Sequence, residues 1–301
     1  MTKTILCVGE VLWDSLPLGL FPGGAPFNVA NHLQQLDMDV QFVSRVGEDE
    51  LGREILRRMR HRGLTTEHMQ IDSELPTGFV EVVSEDLDNP EYDIKTPAAW
   101  DHIELKPALI RAAKDARAII FGSLAQRHEV THKTIMELLI SDAIGVFDVN
   151  LRPPYDDSDI VKTSLESADV IKLNDQELGR MIEWFELPMN FQDSVKAMAK
   201  KFACLSICVT QGRYGAMLYH EGEFFEHPGF KVDHVDAVGA GDAFLAGLIT
   251  KLFFSDVAPD EALEFANLAG AYVVTQSGAT PEFRIEALDA LRENAERDRL
   301  E

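Results

Sequence analysis

The chain has 301 residues, 46% of them hydrophobic, enough to bury a sizeable core and fill one large α/β domain or two ordinary ones. Against 28 basic residues stand 51 acidic ones, a formal net charge of -23 that repels phosphodiester backbones and anionic lipid. Nucleic acid and membrane surfaces are therefore excluded as expected partners, and a disordered chain is excluded by the apolar content.

Short β-branched runs alternate with longer segments of helical period, the pattern of repeated βα units on a mostly parallel sheet. Taken in chain order, a strand is predicted over 5–8, a helix over 27–36, a strand over 40–46 and a helix over 51–62. After these come a strand at 118–121, a helix at 131–140, strands at 145–149 and 170–173, a helix at 192–202, a strand at 205–209 and a helix at 261–276. One region breaks the alternation. Thr77 to Val83 and Tyr92 to Ile94 follow period 2 on either side of the polar stretch 86–90, and read as a hairpin projecting from the sheet as a lid. No repeat, low-complexity tract or long linker divides the chain, so it reads as a single domain over 1–301. The lid is expected mainly from residues 77–100 with parts of 15–45.

Cys7, Cys204 and Cys208 sit in apolar surroundings and read as reduced core residues; the Cys204/Cys208 pair lacks the partners of a zinc site. No apolar run approaches the roughly 20 residues that span a bilayer. The strand-like Thr4 to Gly9 leaves no space before it for a signal peptide, and a cytoplasmic location is the expectation.

The sharpest chemical signal is Val235-Asp-Ala-Val-Gly-Ala-Gly-Asp-Ala-Phe-Leu-Ala-Gly247, where Gly239, Ala240 and Gly241 lead into an apolar helix. Unblocked amides at a helix N-terminus attract anions, and glycine lets a phosphate approach closely. A carboxylate at Asp242 would repel that anion, so its presence suggests a proton acceptor, although Asp is also a favoured residue in a first helical turn. Gly239-Ala-Gly241 imitates the start of a dinucleotide fingerprint, but Phe244 replaces its third glycine and the motif falls late in the chain. No G-x-x-x-x-G-K-[ST] occurs, so a P-loop is absent.

This segment resembles the second signature of the ribokinase-like, or PfkB, family of carbohydrate kinases, with Ala237 where Thr is more usual. Pro22 to Ala30 resembles the family's first signature, and Val46-Gly47-Glu-Asp49-Glu-Leu-Gly52 follows at the expected distance. The likeness continues through Asp148-Val-Asn150-Leu-Arg152-Pro, Asn174-Asp-Gln-Glu177, Thr210-Gln-Gly212 and Gly278. It implies a three-layer α/β sandwich with a mostly parallel central sheet and a small β lid, acting as an ATP-dependent sugar kinase. It also implies Asp242 as catalytic base, the amides of Gly239, Ala240 and Gly241 as anion hole, and Asp14, Gly23, Gly24 and Asn28 at the sugar. Asn174 and Glu177 would help arrange Mg²⁺, although together they also read as a helix capping box. Thr210 and Gly212 would meet the nucleotide phosphates, Asn267 would lie beside the adenine, and Asp236, the backbone of Val238 and Gly278 would form a loop for a monovalent cation such as K⁺.

Within the family, Asp148 to Pro154, Gly23 to Pro26 and Phe42 to Gly47 most resemble the fructokinase branch, which implies D-fructose phosphorylated at its 6-hydroxyl. Arg152 would hold phosphate or sugar hydroxyls, or form a surface ion pair. Trp100 would either close one face of the sugar or fill the lid hinge. 2-Keto-3-deoxygluconate, ribose and a nucleoside stand as alternative acceptors, and a binding protein without turnover stands as the alternative of another class. An exposed lid edge would allow a homodimer.

Overall fold

The computed structural model describes residues 4–16, 19–82, 92–283 and 285–300; of these, 16, 82, 92, 285 and 295–300 are described by their backbone alone. Seven parallel strands form most of a nine-stranded sheet: β1 (Thr4–Val8), β4 (Asp39–Gly47), β5 (Met69–Asp72), β8 (Ala118–Gly122), β9 (Ile144–Asp148), β10 (Val170–Asn174) and β11 (Ser206–Thr210). Two antiparallel strands, β12 (Ala216–His220) and β13 (Glu223–His227), extend one edge to give the order β13-β12-β11-β10-β9-β8-β1-β4-β5. The chain moves from β1 to β4 on one side and returns to β8 on the other, so the strand order switches at β1. In open sheets of this kind, ligands gather at the C-terminal strand ends around such a switch.

Both faces of the sheet are covered, which explains the continuous apolar runs of its strands. Leu6, Val8, Ile119, Phe121, Phe147, Ile171 and Leu173 face one way, against helices α3 (Pro107–Asp115), α4 (Glu129–Leu138), α5 (Ser158–Glu166), α6 (Asp175–Phe185) and α7 (Phe191–Phe202). Their neighbours Ile5, Cys7, Ile120, Val146 and Val170 face the other way, against α1 (Ala25–Gln35), α2 (Glu50–His61) and α8 (Ala240–Phe254). Phe244 and Leu248 of α8 pack in turn on Ala262, Leu263 and Ala266 of α9 (Pro259–Val274), and Leu288 of α10 (Ile285–Leu300) closes over Tyr272. The three layers match the expected α/β sandwich. All three cysteines are buried and unpaired. Among the described residues no helix is long and apolar enough to cross a membrane.

The lid is a separate four-stranded sheet, β3 (Gly19–Gly23), β2 (Leu12–Leu16), β6 (Gly78–Val82) and β7 (Tyr92–Ile94), in that order. The expected hairpin is its β6–β7 half, paired antiparallel; the turn expected at 86–90 lies outside the described residues. Within 15–45 the lid takes only the end of β2 and β3, whereas α1 and most of β4 belong to the body. The first lid strand begins at Leu12, so Asp14 stands on the lid rather than on a loop after β1.

Trp100 does not face a sugar site. Its ring is fully buried in the body's core beneath Gly78, and the Arg127 guanidinium lies 4.0 Å above its centre, so no face remains for a ligand. It fills the hinge. The other side of Arg127 is covered by Tyr155 at 4.6 Å, while its head makes paired bonds of 2.7 and 2.9 Å to Asp101 and one of 3.0 Å to the Lys95 carbonyl beyond β7. Asp49, in the second stretch of the family likeness, caps α2 through Gly52 and holds the backbone and hydroxyl of Thr77 at 2.8 and 2.7 Å, tying body to lid.

Arg127 and Asp101 side chains are only 5% and 4% exposed. Arg127→Met leaves the Asp101 charge buried without its partner and is expected to lower unfolding free energy by about 3–5 kcal/mol, with part of the loss recovered in Arg127→Met/Asp101→Asn. Chemical denaturation measures it, and a loss under about 1 kcal/mol would remove this pair as the hinge's anchor.

Candidate active site

The C-terminal ends of β1, β9, β10 and β11 deliver Glu10, Asp148, Asn174 and Thr210 to one edge of the sheet, and α8 brings the Gly239 turn over it. Gly239 stands just before α8 at φ 79°, and a Cβ there would lie 2.2 Å from the Ala279 carbonyl oxygen. Only glycine combines that conformation with that approach. Among the described residues, the amides of Gly241 and Asp242 have no protein acceptor, as the first turn of a helix dictates. The Ala240 amide differs from the expectation, because it closes a turn onto the Ala237 carbonyl at 3.2 Å. Of the three amides expected to face an anion, only that of Ala240 is engaged by the protein among the described residues.

Asp242 is half-buried and accepts a hydrogen bond of 2.8 Å from the Asn28 side-chain amide, 214 positions away in the chain. Burial and the nearby Asp148 push its carboxyl up to about 6, against the pull of Lys172, the Asn28 bond and Arg152. Such a group is ionised at neutral pH yet basic enough to take a proton.

On the lid side, Asp14 pairs with Phe21 across β2–β3 and turns its carboxylate toward Gly23, where a Cβ would stand 2.0 Å from it. Burial raises Asp14 to about 6, opposed by Arg152. Arg152 is exposed and bonds the Leu151 carbonyl at 2.9 Å; among the described residues it forms no ion pair, and its charge lowers the carboxyls of Glu10, Asp14 and Asp242. Gly24 precedes α1 at its N-cap.

The sequence reading passed over two charged groups. Glu10 is 2% exposed; one oxygen accepts the Ala25 amide at 3.1 Å, the other has no partner, and burial raises the carboxyl to about 7. Lys172, also buried, pairs with Asp148. Each was legible as a charged residue inside or directly after a run of otherwise buried strand.

On the nucleotide side, Asn174 and Glu177 form a complete capping box, with each side chain accepting the other's amide at 2.8 Å. The second Glu177 oxygen accepts the Leu151 amide at 2.9 Å. A carboxylate held by two amides fits Mg²⁺ through water rather than by direct ligation. Thr210 ends β11 and Gly212 opens the turn that follows. Asn267 is buried in α9 and turns its amide back on Leu263 at 2.8 Å. Asp236 gathers the Val238 amide at 3.0 Å and the Gly278 amide at 3.1 Å, stitching together the loop expected for a monovalent cation.

Helix α1 joins these halves. Besides Asn28 it carries the buried His32, whose Nε2 contacts the Ala279 carbonyl at 3.0 Å, and Gln35, which bonds the Pro281 carbonyl and the Phe283 amide. Burial holds His32 neutral by lowering it to about 4, and the neutral ring donates its Nε2 proton to that carbonyl.

Residues 17–285 match the model of the pfkB family carbohydrate kinases. A fructokinase-2 of Solanum lycopersicum is 31% identical over 311 residues, covering 92% of each chain. Among solved structures, a fructokinase with bound ATP from Xylella fastidiosa superposes with a TM-score of 0.83 at 24% identity, covering 98% of this chain and 99% of that one. A double mutant of a Vibrio cholerae O395 fructokinase, bound to fructose, ADP and potassium ion, gives 0.82 at 24%, covering 96% and 98%. The likenesses bear out the three-layer fold class.

Because the Asp242 carboxyl is raised in the fold, its charge opposes folding above about pH 6, and the opposition vanishes below its ordinary value. Asp242→Asn is therefore expected to stabilise the ligand-free protein by about 1–2 kcal/mol at pH 7 and to be neutral near pH 4. Urea titrations at the two pH values check it; a destabilised variant at pH 7 would contradict the burial assigned to this carboxyl.

Proposed function

Since the chain belongs to the pfkB family of carbohydrate kinases and is an ATP-dependent sugar kinase, we propose that its acceptor is D-fructose, phosphorylated at the 6-hydroxyl. The observation that carries the chemistry is a single carboxylate, Asp242, bonded to Asn28 on its sugar side and adjoining unengaged amides on its phosphate side. The fructokinase names of its relatives support the choice of sugar.

In this reading Asp14 and Asn28 accept and donate to sugar hydroxyls, and Arg152 closes the site with its planar fork. Asp242 takes the hydroxyl proton as the new O–P bond forms, the bond between the γ-phosphorus and its bridging oxygen breaks, and ADP leaves. The Gly241 and Asp242 amides then receive the charge that gathers on the transferring group; losing one such donor commonly costs about 3 kcal/mol of barrier lowering. Mg²⁺, when bound, would neutralise phosphate charge near Asn174 and Glu177. Thr210 and Gly212 serve the phosphates, with Asn267 toward the adenine, and the Asp236–Val238–Gly278 loop would hold K⁺. A cytoplasmic location suits three buried, unpaired thiols.

With ATP and Mg²⁺, ADP release is expected with fructose in preference to ribose, 2-keto-3-deoxygluconate or adenosine; preference for another of these would replace fructose as acceptor. Asp242→Asn should lower kcat by at least about 10²-fold while ATP still raises its melting temperature. Near-full turnover in that variant would remove Asp242 from the mechanism. The wild-type kcat/KM should fall on the acid side with a midpoint near pH 6, because protonated Asp242 cannot act as base.

A further inference from the structure

Lys172 stands inside a central strand, between the fully buried Ile171 and Leu173. Its ammonium bonds both Asp148 oxygens on the neighbouring strand, at 3.1 and 3.3 Å, and the two side chains are 8% and 4% exposed. Burying such a pair seldom stabilises a fold more than apolar side chains of the same volume would, so packing alone does not account for it. Its position supplies a reason. The Lys172 Nζ lies 3.0 Å from where a Cβ on Gly241 would stand, beside the turn that carries the unengaged Gly241 and Asp242 amides.

We propose, resting on the kinase reading above, that Lys172 is a positioning residue of the phosphoryl-transfer site: its ammonium, pinned by Asp148 beside Gly241, lends fixed positive charge to the anion hole and offsets Asp148 at the base. The groups facing Asp242 are Asn28 from α1, Lys172 and Asp148 from β10 and β9, Arg152 from the loop after β9, Glu10 after β1 and Asp14 from β2. At the Asp242 carboxyl, Asp148 raises the pKa and Lys172 lowers it. The pair thus acts as a dipole whose positive end meets the incoming phosphate. Fixed charge in a site closed to water is worth far more than the same charge in solvent.

The two halves of the pair carry opposite signs into an experiment on the full-length protein with ATP, Mg²⁺ and fructose. Lys172→Met should lower kcat by at least about tenfold with both KM values within a few-fold, and should move the acid limb of the kcat profile upward. Asp148→Asn should move that limb downward, and Lys172→Arg should recover part of kcat. Where Lys172→Met alone fails to fold, Lys172→Met/Asp148→Asn removes both buried charges. That variant should fold and return the acid limb close to its wild-type position while kcat stays depressed, because the ammonium beside the hole is still missing. Recovery of kcat together with the fold would show a merely structural pair and overturn the proposal, as would a Lys172→Met enzyme with unchanged kcat and acid limb. Wild-type protein inert toward every sugar would overturn the reading of function instead. The proposal would then be judged by melting temperature with ADP and tetrafluoroaluminate, a mimic of the transferring phosphoryl group. Stabilisation lost in the double variant would support it, and stabilisation retained would overturn it.

Discussion

A base for phosphoryl transfer must sit beside a place that attracts phosphate, and a carboxylate there repels the ligand it serves. The rest of the structure follows from how that conflict is contained. In the proposed reaction Asp242 serves the sugar, with one oxygen held by the Asn28 amide, while unengaged main-chain amides of the same helical turn are left for the phosphate. Burial raises the carboxyl to about 6, which leaves it ionised at neutral pH and more basic than a free carboxylate.

The same balance extends outward. Glu10, Asp14, Asp148, Glu177 and Asp242 meet at one sheet edge with Lys172 and Arg152 as the cations whose fields reach them. Ligand-free, the site is acid-rich, and in the proposed reaction phosphates would be met by amides, cations and metal against the protein's strongly negative overall charge. Stability is given up at this edge, as it commonly is where function needs charge in a dry place.

The parallel body was legible in the sequence because strands covered on both faces read as unbroken apolar runs, and the helices between them kept their period. The lid was half legible. β6 and β7 alternate on period 2, whereas β2 and β3 carry Trp13, Pro22 and glycines in five-residue strands whose pairing is set by tertiary context. β12 and β13 escaped notice as short edge strands following a turn. At the site, glycine spacing pointed to Gly239 and Asp242 but not to the turn bond that engages Ala240, since hydrogen-bond partners in a turn depend on its dihedrals. Trp100 was ambiguous because an aromatic beside a lid fits a ligand face and a hinge core equally; only the position of Arg127 decides. Lys172 lay hidden in a motif prized for Asn174.

Helix α1 reaches the acceptor side through Asn28 and the segment behind Gly239 through His32 and Gln35. Eleven residues of one helix therefore couple the two sides of the proposed site. A change that shifts this helix would therefore move the Asp242 carboxylate's partner and the backing of the Gly239 turn in one step.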